Sequence, residues 1–197
     1  MRVLRPPPVL DEIKPIAARW VASARASLDA DDALLRAALE TNFAWDRAPA
    51  SEQPRLLSFI ADHLASVDRV LRESERLFRR PWPWDVRRFF GEHPPPAYAF
   101  DGYVYFTDEF RSYEGDRGFG PMCLAAMVIH ESVHVFDARS GEPEIHISEW
   151  DEPKFSAVPP LLQIHNPSAY ASFAAQVHHA QLEWPREARF GAGRRAD

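Results

Sequence analysis

The stretch Leu124-Ala125-Ala126-Met127-Val128-Ile129-His130-Glu131-Ser132-Val133-His134 constrains this chain more than any other. Six apolar residues lead straight into two histidines and a glutamate, with no Gly or Pro to interrupt them. At helical pitch such a run is apolar on every side, so the helix belongs in the interior. There, two imidazoles and a carboxylate are costly unless they are paired or bind a metal. His130 and His134 lie four residues apart, share one face and can hold one ion between them. The H-E-x-x-H order sets Glu131 beside them. Zinc held by neutral imidazoles brings the pKa of a water to about 7, and an adjacent carboxylate can take the proton. The predicted cofactor is therefore Zn²⁺, with His130 and His134 as ligands and Glu131 as general base. A solvated helix carrying the same residues is the plainer alternative, and the apolar run argues against it.

A catalytic zinc has three protein ligands as a rule, so a third is sought downstream. Asp137, Glu144, His146, Glu149 and Asp151 are the candidates. Three ligands on one straight helix converge poorly, which makes Asp137 a better partner for orienting a ligand imidazole. Glu144 sits in the turn-like Ser140-Gly141-Glu142-Pro143-Glu144. His146 lies between Ile145 and Ile147, an alternation that predicts a partly buried imidazole on an extended segment. We favour His146, then Glu144, with Glu149 and Asp151 behind them.

The remaining composition narrows the class. The chain has 197 residues, enough for one domain with a substantial core. A net charge of −6 argues against a nucleic-acid or membrane-surface protein, either of which favours a basic face. Cys123 is the only cysteine, so no intramolecular disulfide forms. The first residues carry three prolines and no apolar signal-peptide core, and no run approaches the roughly 20 residues of a membrane helix. The expected setting is cytoplasmic, with export by a route without a cleaved signal left open.

Along the chain, residues 1–8 read as a loose tail. Ile13, Ile16, Ala17, Trp20, Val21 and Ala24 mark an amphipathic helix, and Leu34, Leu35, Ala38 and Leu39 a second. A longer helix is capped near Ser51 and carries the stripe Leu56, Leu57, Ile60, Leu64, Val67, Leu71 and Leu77. Residues 81–97, rich in Pro and Trp, read as irregular. Residues 98–106 read as a hairpin turning at Asp101-Gly102. A glycine loop follows at 115–121, then the His130 helix from Met122 to about Ala138. Residues 144–150 alternate as a strand or an extended loop would. A last helix spans residues 167–180, and a disordered tail is expected from Gly191.

At this point the sequence resembles the deuterolysin and lysine-specific metalloendopeptidase family, the aspzincins, over roughly residues 98–180. The resemblance is carried by Tyr103-Val104-Tyr105-Phe106 with Phe110, by His130-Glu131-Ser132-Val133-His134, by an acidic segment from Gly141, and by Asn166-Pro167-Ser168-Ala169-Tyr170-Ala171-Ser172-Phe173. It implies a zincin-like fold, zinc-dependent peptide hydrolysis, and an edge strand at residues 103–106 along which a substrate lies extended. A near-ungapped match puts Glu144 at the family's ligand Asp and Ile147 at its catalytic Tyr, whereas a small gap puts His146 at the ligand position. For the oxyanion-stabilising group Tyr170, His165 and Tyr105 are candidates, with Tyr170 placed first. Ser168 and Ala171 fall near the acidic residues that select lysine, so lysine specificity is not implied.

The reading is a single mainly helical α+β domain with a small sheet, an N-terminal helical region over 1–97 and a catalytic half over 98–190. Its function would be zinc-dependent hydrolysis of a peptide or protein substrate. A zinc amidohydrolase acting on a small molecule, and a zincin-like binding module without turnover, are the alternatives. Among other residues, His63 reads as an ordinary helix-face residue and Cys123 as core. His178 and His179 point about 100° apart on a helix. Trp82 and Trp84 could line a groove, although packing against the bundle is the commoner outcome for such residues.

Overall fold

The computed structural model describes residues 3–110, 121–141, 145–147 and 152–182. The chain is a mainly helical α+β protein. Helix α1 spans Leu10–Ser27 and buries Ile13, Ala17, Trp20, Val21 and Ala24, the stripe expected from the spacing. Helix α2, Ala33–Phe43, starts at Asp32, whose carboxylate accepts from the Leu35 amide at 2.8 Å. It ends where Ala44 turns left-handed. Helix α3, Gln53–Arg72, buries Leu56, Ile60, His63, Leu64, Val67 and Leu71.

The stripe does not continue to Leu77 as one helix. After Arg72 come a short turn of helix, α4 (Ser74–Leu77), and a strand, β2 (Phe78–Pro81). Residues 81–97 are less irregular than their prolines suggest. Helix α5, Pro83–Phe90, begins on Pro83, where a proline costs no hydrogen bond. The N-terminal tail is tied down as well: Val3–Leu4, strand β1, pairs antiparallel with Pro81 and Arg80.

The hairpin of residues 98–106 is present as β3 (Ala97–Phe100) and β4 (Tyr103–Phe106). Asp101 and Gly102 both take positive φ, 50° and 74°, as a two-residue hairpin turn requires. The sheet order is β1-β2-β4-β3, with β4 parallel to β2 and antiparallel to β3. This corrects the expectation that residues 103–106 form an edge strand. The unforeseen β2 occupies the outer side of β4, so among the described residues the sheet's edge strands are β1 and β3.

Helix α6, Pro121–Ser140, ends at Gly141 with φ 72°. Two short helices, α7 (Glu152–Ala157) and α8 (Pro160–Gln163), lead to α9 (Pro167–His178). Helix α6 packs on α1, α3 and α9 on one side and on β3 and β4 on the other. That double coverage explains its all-round apolar sequence: Leu124, Ala125, Val128, Ile129 and Val133 are fully buried. Burying each of the larger side chains contributes about 1.5–3 kcal/mol. One continuous apolar core joins α1, α2 and α3 to α6 and α9. The glycine loop expected at 115–121, apart from Pro121, which instead begins α6, most of the stretch read as alternating at 144–150, and the tail from Gly191 fall outside the described residues.

Candidate metal centre

His130, Glu131 and His134 all sit on α6, in the half of the helix that follows its apolar run. Glu131 and His134 are buried and His130 is partly buried. Ser132, on the same turn, satisfies its hydroxyl by donating to the Val128 carbonyl at 2.7 Å. The two imidazole centroids are 5.0 Å apart. His146 joins them from residues 145–147, its ring stacked on His134 at 4.5 Å and 22° and lying 5.8 Å from His130. One ligand atom from each of the three falls within 4.8 Å of the others. A tetrahedral zinc with bonds of about 2.1 Å needs nitrogens about 3.4 Å apart, so small side-chain rotations suffice.

The electrostatics also suit a cation. Burial, reinforced by His134 and then His146, pushes the His130 imidazole down to about 3. It stays neutral at physiological pH, the form that binds metal.

The tether of His146 is backbone-based. Ile145 donates its amide to the His165 carbonyl at 3.2 Å. Asn166 donates its side-chain amide to the Ile147 carbonyl at 2.9 Å. The isoleucines on either side are partly buried, but His146 itself is exposed, contrary to the partly buried imidazole expected. Alternation did put it on the face opposite its neighbours, and that face opens to solvent.

Several expectations change. The Tyr170 hydroxyl does not face the histidines. It donates to the Ile164 carbonyl at 2.6 Å, the residue is fully buried, and its ring packs on Phe43 and His63. Burial, with Asp137 adding to it, holds the phenol well above its usual range. Tyr170 is therefore a core residue, and an oxyanion role for it is withdrawn. His165 is buried against Phe59. Tyr105 is buried on β4, stacked on Tyr98 at 5.1 Å. Asp137, expected to orient a ligand imidazole, instead sits 2.9 Å from Nε2 of His63, both side chains fully buried. His63 is thus no ordinary face residue. His178 and His179 pack on Trp20 of α1 and do not join the cluster. Trp84 is 75 % exposed and lines a groove of about 760 Å³ between α5 and the residues after β4. Glu144, Glu149 and Asp151 lie outside the described residues.

Two residues of the site were not singled out for it by sequence. Ser168 Oγ lies 3.3 Å from His130 Nδ1, and Asn166 anchors the segment bearing His146. Both lie in the segment Asn166 to Phe173 that carries the family resemblance, but there Ser168 is read only against substrate selection and Asn166 is given no role; the order Asn-Pro-Ser otherwise reads as a helix cap. Comparison of the chain with protein-family models, with curated proteins and with solved structures finds no match.

Proposed function

We propose that this protein is a zinc-dependent hydrolase acting on peptide bonds, with a zincin-like arrangement around α6. The observation that carries the reading is the convergence of three imidazoles, His130, His134 and His146, from two separate parts of the chain. Zinc bound there would supply a Lewis acid and an acidified water. Glu131, between the two helical histidines in sequence, would be the base that accepts a proton from such a water and returns it to the departing amine. His146 is the third ligand in this reading, and its exposed ring keeps the centre open to substrate. The free edge of β3, which packs directly on α6, offers backbone donors and acceptors to an extended chain, which favours a peptide over a compact small molecule.

The test is a zinc titration combined with turnover on a mixed peptide library. Wild type should bind one zinc per chain, and His130→Ala or His134→Ala should abolish binding. Glu131→Gln should keep the metal and lose hydrolysis by roughly two or more orders of magnitude, the scale of general-base catalysis. Wild type that takes up no zinc sinks the metal reading. Zinc bound without turnover of any peptide leaves a binding module in its place.

A further inference from the structure

Resting on the reading of His130, His134 and His146 as metal ligands, we propose that Asn166 and Ser168 are positioning residues that preset two of the three imidazoles. Both stand at the start of α9, and each is tied to a different ligand.

Ser168 is buried, with its hydroxyl 3.3 Å from His130 Nδ1. A neutral imidazole carries one N–H, and whichever nitrogen holds it cannot bind metal. A hydroxyl oxygen that accepts from Nδ1–H leaves Nε2 bare and holds the ring in one plane. Ser168 thereby selects the metal-binding tautomer, the task an outer-shell partner performs for a ligating histidine.

Asn166 is fully buried and uses both ends of its amide. Its Oδ1 accepts from the Ser168 amide at 3.3 Å, an ordinary helix cap. Its Nδ2 donates to the Ile147 carbonyl at 2.9 Å and reaches Gln163 Oε1 at 3.4 Å. Capping needs only the oxygen. The reach of Nδ2 across to Ile147, with the Ile145 amide on the His165 carbonyl, pins the backbone on both sides of His146. Residues 145–147 form no regular structure. These two bonds order the segment before a metal arrives, so binding does not have to overcome that entropy.

The experiment uses the full chain, stripped of metal and then titrated with zinc against a competing chelator. Ser168→Ala removes the acceptor. Asn166→Ser keeps a capping oxygen and loses the tether. Each should weaken zinc binding about 10- to 100-fold, as loss of an outer-shell partner does. The metal-free melting temperature is recorded alongside, to separate site effects from unfolding. Long-range ¹⁵N–¹H correlation of metal-free wild type should show His130 as the Nδ1–H tautomer, a readout that needs no variant. An Nε2–H tautomer there overturns the role of Ser168. Wild-type affinity in both variants overturns the bracket while leaving the zinc site standing. Absence of zinc binding by wild type refutes the site reading itself, so the two failures are distinguishable.

Discussion

Replacing Tyr170 by Phe separates packing from chemistry at a position whose neighbours in sequence pointed to chemistry. The ring would stay where it is, edge-on to Phe43 and stacked on His63, so no cavity opens. What disappears is one hydroxyl, fully buried and donating to the Ile164 carbonyl at 2.6 Å. Ile164 is itself buried, so no bulk solvent stands ready to replace the donor. Leaving a buried acceptor short of its partner costs about 1–3 kcal/mol, and a central value of about 2 is expected here. For a domain of 150–250 residues each kcal/mol lowers Tm by about 2–4 °C, which gives a fall of about 4–8 °C. The assay is thermal unfolding of wild type and Tyr170→Phe, with zinc affinity and peptide turnover measured at 20 °C, well below either transition. Stability should drop while affinity and turnover stay within about twofold, because the hydroxyl faces Ile164 and not the histidines. An unchanged Tm together with a large loss of turnover would refute the reasoning and return Tyr170 to the reaction.

His146→Ala should weaken zinc binding by more than the roughly 100-fold that loss of an outer partner costs, since a ligand itself is removed; near-wild-type affinity in a chelator competition would transfer the third position to another residue. Acidification should destabilise the metal-free protein. The His130 imidazole sits near 3 when folded, whereas a free histidine titrates near 6.5, so on acidification the unfolded chain takes up the proton first. Stability is then level above about pH 6.5 and falls as the pH drops towards 3. Melting temperatures at a series of pH values in the presence of chelator should show that slope, and His130→Gln should flatten it.

The features legible in the sequence were those with a local physical signature. The apolar run before His130 forced α6 inside, and the sheet and bundle do enclose it on two sides. Asp101-Gly102 marked the hairpin because the turn demands positive φ at both positions. The alternation of Ile145, His146 and Ile147 set His146 apart from its neighbours, and its ring does lie against the helical pair. What stayed hidden depended on contacts between distant parts of the chain. Strand β2 follows so closely on the stripe of α3 that Leu77 read as one more helical position. The change of structure at Glu73 carries no Gly or Pro. With β2 unseen, β4 read as an edge. The Tyr170 hydroxyl found a backbone carbonyl, and no residue pattern advertises those.

Both ring nitrogens of His63 face oxygens, Nδ1 the Phe59 carbonyl at 3.0 Å and Nε2 a carboxylate oxygen of Asp137 at 2.9 Å. A carbonyl can only accept, so Nδ1 carries a proton, and the Asp137 contact needs a second proton on one side or the other. The contact ties a side chain of α3 to one of α6. It does so between Phe59, Phe136 and Tyr170, where bulk solvent does not reach. Asn at position 137 could supply the second N–H from its own amide and keep the count. Ala could not, and would leave an imidazole nitrogen buried without that bond. Helices α3 and α6 are thus fastened by an enclosed proton, and pulling α6 away from α3 means leaving that proton without one of the two atoms that share it.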